Sequence, residues 1–412
     1  MVRMAKSVRL LVSLCAFASF NGVSSSNVTT ALLDRTEYLK RPRVKYHLYD
    51  PHLFTMYTEC LPKLDRPCYA NQGYNTFVHS LDILFLESII ALNESVDPSE
   101  ADLFIVPVFY NQATVTDYPC YRNWKDRELT NQMYEVLRSL GHYKSGVRNH
   151  FLMADHWASG FPGSWDKFVF EAELIVGRFE NPSIQNPSGN TVLRDDNQIF
   201  GVGYATRAGL YRQCAKEHTI HRTKDPVPML ERKYLASFTG GNHKYFYHRN
   251  LLYNWIRDHP EVPEDIFVSV YSKDEAFSDK NPLMNGHDVC RNSLICLSIM
   301  GDTPTTDRIW VAFEFPSLIG VLSVEKDKLL PLLPYPLRVP WEEIIVWIDT
   351  DTFVKNPYEA MRGVALALSD DEKERRFNLM RKHQRDVLWA FGGSVAALNV
   401  LEEANLRVEV LS

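Results

Sequence analysis

Residues Asn292 to Ser323 read NSLICLSIMGDTPTTDRIWVAFEFPSLIGVLS, and chemistry is densest there. An apolar run, Leu294 to Ile299, enters a tight loop, Gly301-Asp302-Thr303-Pro304, and Thr305 and Thr306 stand where a helix should begin. A helix start offers unpaired backbone N–H groups and the positive end of the peptide dipole, which suits an anion. Arg308, about one turn further, adds a guanidinium able to hold a phosphate through two hydrogen bonds. Glu314 follows six residues later. That is about 600° of helix, so it points roughly a third of a circle away from Arg308. Loop, helix start and arginine make a cradle for a diphosphate. The same strand–turn–helix with a threonine cap also serves purely structural ends.

A second constellation lies in Glu342 to Phe353 (EEIIVWIDTDTF), where Asp349 and Asp351 flank a threonine at the end of an apolar run. Paired carboxylates at a strand end could hold a hard divalent cation such as Mn²⁺. Two acids beside a threonine are also a common solvated turn. Nothing has zinc-site spacing: there is no CxxC pair, and His218-Thr-Ile-His221 lacks partners.

The elements that must position these residues are legible in the apolar rhythm. The chain has 412 residues, 45% hydrophobic and 23% charged, which excludes disordered, collagen-like and coiled-coil classes. A net charge of -6 gives no basic footprint for nucleic acid. Length suggests about two domains. Short apolar runs recur at Ala101–Phe109, His150–Met153, Glu173–Val176, Tyr234–Phe238, Ile266–Val270, Leu294–Ile299, Ile319–Ser323 and Ile344–Ile348. They alternate with helical stretches, the pattern of parallel sheets with helices on both faces. The rhythm breaks between Asn181 and Pro228. The expected architecture is two doubly wound α/β domains, 40–228 and 229–355, facing across a cleft, with ligand beyond the carboxyl ends of the strands. Residues 356–412 read as helices packing back on the domains. Asn356-Pro357 is a cap, Ser369-Asp-Asp-Glu372 a capping box, and Gly392-Gly393 a stop before a last helix from Ser394.

The first 25 residues read as an address. Arg3, Lys6 and Arg9 precede the apolar run Leu10–Phe20, and small residues follow. The run is about half of the ~20 residues a membrane span needs. A cleaved signal peptide is expected, with a short signal-anchor holding the protein on a membrane as the alternative. The sequons at Asn27 and Asn93 could accept glycans on that route. Outside the address stand six cysteines; the close pairs Cys60/Cys68 and Cys290/Cys296 could form local disulfides, with buried thiols the alternative.

Several ordered motifs carry a family resemblance. They are Tyr46-His-Leu-Tyr-Asp50, Asp97-Pro-Ser-Glu-Ala-Asp-Leu-Phe-Ile-Val-Pro-Val-Phe-Tyr110, and Arg148-Asn-His-Phe151 running on to Asp155-His156. Lys224-Asp-Pro-Val-Pro228, Arg232 to Gly240 with Arg249 and Leu252, and Ser293 to Arg308 follow. In this order the chain resembles the exostosin family of glycosyltransferases along nearly its whole length. The resemblance implies a GT-B fold of two Rossmann-like domains, acceptor bound mainly by the first and nucleotide sugar by the second. It implies inverting sugar transfer to a glycan or glycoprotein in the secretory pathway, in the Golgi lumen or membrane, or alternatively a secreted protein. No cofactor is required. Gly240 and Arg249 would frame the donor diphosphate, and Gly301, Asp302, Thr305, Thr306 and Arg308 would form the donor loop and helix start. Asp155, His156 and Asp302 are the candidate catalytic residues.

The chain also departs from the family pattern. Val311 stands where an acid is usual, while Glu314 matches an acid that some members carry and could take the donor ribose. Pro316-Ser-Leu-Ile-Gly320 replaces the usual turn before the next strand. A catalytically inactive carbohydrate-binding or scaffold protein on the same fold is one alternative. A metal-dependent GT-A transferase using Asp349 and Asp351 is another, disfavoured because only helical sequence follows them.

Overall fold

The computed structural model describes residues 35–64, 81–110, 127–144, 146–154, 173–178, 199–202, 227–241, 245–261, 265–271, 282–301, 304–389 and 393–411. Residues 1–25, Asn27, Cys68, Asp155, His156, His218, His221 and Asp302 lie outside them.

Two parallel five-stranded sheets organise the chain, as the alternation of apolar runs and helices requires. The first contains β1 (Tyr46–Leu48), β2 (Leu103–Ile105), β3 (His150–Met153), β4 (Ile175–Arg178) and β5 (Ile199–Gly201), in that spatial order. Its strands are short and nearly all apolar, as strands covered on both faces must be. On one face Phe151 packs on Phe85 and Phe200; on the other Phe104 stacks on His150 at 5.0 Å. β5 falls inside the stretch read from sequence as a break. Three residues carry too little periodicity to register, and what fixes them is tertiary: Phe200 is buried against Phe151, and the Gly201 backbone abuts Leu332.

The second sheet contains β6 (Tyr234–Gly241), β7 (Ile266–Tyr271), β8 (Ser293–Leu297), β9 (Leu318–Leu322) and β10 (Ile345–Ile348), in the order β10-β9-β8-β6-β7. After β7 the chain crosses back over β6 and builds outward on its other side. The order therefore reverses between β6 and β8, and a crevice opens at the carboxyl ends of these two strands. At the opposite ends Arg232 acts as a staple. It donates to the carbonyls of Val227, Ser293, Phe315 and Pro316 and to the Ser317 hydroxyl, and lies 4.6 Å over the Phe377 ring. Burial pushes its guanidinium down to about 10, so it keeps its charge at neutral pH. Two of these acceptors, Pro316 and Ser317, belong to the turn where the sequence departs from the family pattern. Here that turn is held from inside.

Helix caps follow the sequence. Asn356 accepts from Glu359 N at 3.1 Å and Ser369 from Glu372 N at 3.2 Å. The capping box is only half made, because the Glu372 carboxylate binds Arg375 and Arg376 instead of reaching back. The last helix, Ala396–Leu411, lies against β2, β4 and helix Leu81–Leu92 of the first sheet, burying Val400, Leu401 and Ala404 completely. Among the described residues no helix is long and apolar enough to cross a membrane.

Candidate active site

The site is built where β6 and β8 end. Helix Tyr247–Asp258 follows β6, so its first turn brings Arg249 to this edge. Arg249 is 5% exposed. Its Nε and Nη2 donate to the Ile299 carbonyl at 3.1 and 2.8 Å, and its Nη1 to the Gly241 carbonyl at 3.1 Å. One side chain thus ties the end of β6 to the loop after β8. It approaches that loop only because residue 301 is glycine: a β-carbon there would lie 2.5 Å from Arg249 Nη2.

Arg308 comes from the first turn of helix Asp307–Glu314, after β8. Its Nε donates to the Thr239 carbonyl, and its Nη2 lies over Gly240 where no side chain stands. The Phe238 ring lies close to both guanidiniums, 5.6 Å from Arg249 and 4.9 Å from Arg308. Its face offsets part of the repulsion between them. The result is two held positive charges at a strand reversal, beside a helix start. Thr306 is the N-cap of that helix by position, yet its hydroxyl does not cap. It bonds Ser298 Oγ at 2.8 Å, which ties the loop closed, and Asp307, the first residue of the helix, lies 3.8 Å from Arg308 Nη1. Thr305 is buried too.

Beside Arg308 lies a small recess, open to solvent, whose lining includes Thr239, His287, Leu297, Asp307, Arg308 and Val311. The Glu314 side chain, 4% exposed, lies 3.8 Å from Nδ1 of His287, which lines the recess. Helix Pro282–Arg291, which carries His287, is joined to β8 by the disulfide Cys290–Cys296. Cys60 is buried in helix Thr55–Leu64.

Gly240, Arg249, Gly301, Thr306 and Arg308 therefore share one edge, while Glu314 stands at the end of helix Asp307–Glu314 beside His287. β3 ends at Met153, two residues before Asp155. Asn93 is exposed just past helix Leu81–Leu92, in the left-handed region at φ 51°. Asp349 and Asp351 do not join the site. They follow β10, an edge strand three places from β6, about 14 Å away across the sheet. Asp349 is spent as a cap, accepting from Thr352 N at 2.8 Å and Oγ1 at 2.6 Å, bonds that hold its carboxyl below the usual range.

Sequence reasoning missed Glu325. It lies on the turn after β9, 1% exposed, and both carboxylate oxygens accept from Met300 N at 3.2 Å. Burial pushes its carboxyl up to about 7, against the pull of the Met300 N–H, Arg249 and Lys328. The available signal was a lone acid three residues beyond a fully apolar strand, at the edge where ligands bind.

An exostosin GT47 domain model matches residues 26–315, from before β1 to just past the helix that carries Arg308. The chain belongs to the exostosin GT47 family. It is thus a glycosyltransferase of GT-B type, and the two parallel α/β sheets are those of that fold. An exostosin GT47 glycosyltransferase acts on a nucleotide sugar and an acceptor. No curated protein matches the chain. The GT-A alternative is set aside by the family and by the cap role of Asp349.

Proposed function

We propose that the protein transfers a hexose or pentose, with inversion, from a nucleotide sugar to a glycan or glycoprotein acceptor within the secretory pathway, in the Golgi. The observation that carries this reading is the placement of Arg249 and Arg308 together against Phe238 at the β6/β8 reversal. In such a reaction the acceptor oxygen attacks the anomeric carbon as the bond to the diphosphate breaks. The hydroxyl proton passes to a base within hydrogen-bond reach. Charge builds on the departing diphosphate, and fixed positive groups stabilise it without reorganising. Arg308, Arg249 and the start of helix Asp307–Glu314 take that role, with Gly240 and Gly301 admitting the guanidiniums. Glu314, with His287, takes the donor ribose. Asp155, His156 and Asp302 are the candidate bases. The reaction needs no metal. The amino-terminal segment supplies entry to the secretory route, and Asn27 and Asn93 accept glycans there.

The test is binding and turnover across a panel of nucleotide sugars, with Arg308→Ala alongside. Wild type is expected to bind a nucleoside diphosphate and turn over at least one donor, and the variant to lose both while keeping its fold. Unchanged diphosphate binding by the variant removes the phosphate role from Arg308. Failure of the folded wild type to bind any donor would favour a carbohydrate-binding or scaffold protein.

A further inference from the structure

Glu325 is a carboxylate with almost no access to water, and its surroundings do not neutralise it by direct contact. Its polar neighbours are Met300 N at 3.2 Å from each oxygen and His248 Nδ1 at 4.0 Å. Burial lowers the affinity of His248 for a proton, so that ring is neutral at pH 7 and supplies no counter-charge. The charges that act on Glu325 are Arg249, from helix Tyr247–Asp258, and Lys328, from the turn that follows it. Arg249 is also the residue placed against Gly301, next to Met300. Glu325 therefore grips the donor loop from below, one residue from the point where Arg249 grips it from the side.

We propose that Glu325 is a positioning residue of the donor site, holding the Met300–Gly301 loop in its charged form and taking up a proton when a nucleoside diphosphate settles against Arg249 and Arg308. The proposal rests on the donor-site reading above. The physical reason is competition for one cation. An unliganded site leaves Arg249 as the main positive charge near the buried carboxylate. A diphosphate draws on the same guanidinium and adds negative charge of its own, and in a water-poor setting like charges disfavour joint ionisation. The proton comes from solvent onto a carboxyl oxygen, and no other bond changes. The carboxyl then grips Met300 N–H less firmly, because a hydrogen bond to a neutral acceptor is weaker than one to a charged acceptor.

The test is calorimetric titration of the full chain with uridine and guanosine diphosphates near pH 7, in two buffers of different ionisation enthalpy. Wild type should take up a proton on binding, on the order of half a proton per site because Glu325 is already partly protonated there. Glu325→Gln keeps an acceptor for Met300 N–H and removes the titration. Its proton uptake on binding should fall below that of wild type by that amount. The ligand's own phosphate also ionises in this range and does so equally in both proteins, so the reading is the difference between them: as pH falls from 8 to 6, wild-type affinity should gain relative to that of Glu325→Gln. Equal proton uptake in wild type and Glu325→Gln overturns the proposal alone. Failure of wild type to bind either diphosphate would overturn the donor-site reading, and this proposal with it.

Discussion

Gly240→Ala tests the arginine site without touching an arginine. A β-carbon at residue 240 would overlap Arg308 Nη2 and lie 2.9 Å from Phe238 Cζ. The arginine is the softer of the two obstacles, because it is the far end of a long side chain while Phe238 is packed in the core. The methyl group should therefore push the guanidinium off Gly240 and strain its bond to the Thr239 carbonyl. A hydrogen bond to a charged group contributes about 1.5–3 kcal/mol. Losing one such contact with the diphosphate predicts about 10- to 150-fold weaker binding. Overpacking adds a stability cost of about 1–3 kcal/mol. The assay is a double-mutant cycle of Gly240→Ala, Arg308→Ala and the pair, read by calorimetry and thermal unfolding. If the methyl group acts through Arg308, the pair binds diphosphate no worse than Arg308→Ala alone. Part of the lost stability also returns, because the methyl group enters the space the guanidinium left. Additive losses in the cycle, or wild-type affinity in Gly240→Ala, would refute this reasoning.

Three further outcomes follow from the geometry. Arg232→Met should destabilise the fold by about 3 kcal/mol or more, because it strands several buried carbonyls; chemical denaturation checks this, and survivors should bind diphosphate normally. Asp349→Asn should leave both stability and sugar transfer nearly unchanged, since asparagine caps as well as aspartate, and chelator should spare transfer; Mn²⁺ dependence lost in Asp349→Asn would count against the cap role. Glu325 has a carboxyl raised from 4.5 to about 7 by folding, so its charged form opposes the fold. Its stabilising contribution is present below the unfolded value and lost as pH rises through the folded one. Glu325→Gln should accordingly raise stability at pH 8 by as much as about 3 kcal/mol and have little effect at pH 4; denaturant melts at both values decide it.

The parts legible in sequence were those with long-range rhythm or strict spacing. Eight apolar runs marked strands or their close neighbours, and the strand–loop–helix at Leu294–Glu314 placed Arg308 correctly, because local chemistry sets a strand end and a helix start. The role of Thr306 was not legible. A threonine before a helix reads as a cap, and only the approach of Ser298 diverts its hydroxyl. Asp349 was legible only as a choice between a cation pair and a solvated turn, and the hydrogen bond it closes three residues on is that of the turn. Glu325 was invisible for a physical reason. Its importance comes from burial against a loop 25 residues away, and no periodicity encodes that. Arg232 was legible as part of a motif but not as a staple, since its acceptors are brought together by three separate strand-and-turn boundaries.

The final helix has a consequence for how the protein is made. Ala396–Leu411 covers the first sheet, and Tyr38 and Arg41, near the start of the described chain, reach it through Glu402 and Glu409. During synthesis the amino-terminal half leaves the ribosome long before its own cover exists. It must wait with an open apolar face until the last residues emerge. A fragment ending at residue 315, where the family match stops, would keep that face exposed permanently. The vulnerable interval for misassembly is therefore the translation of the second half, when the first half depends on whatever shields apolar surfaces in the compartment where it folds.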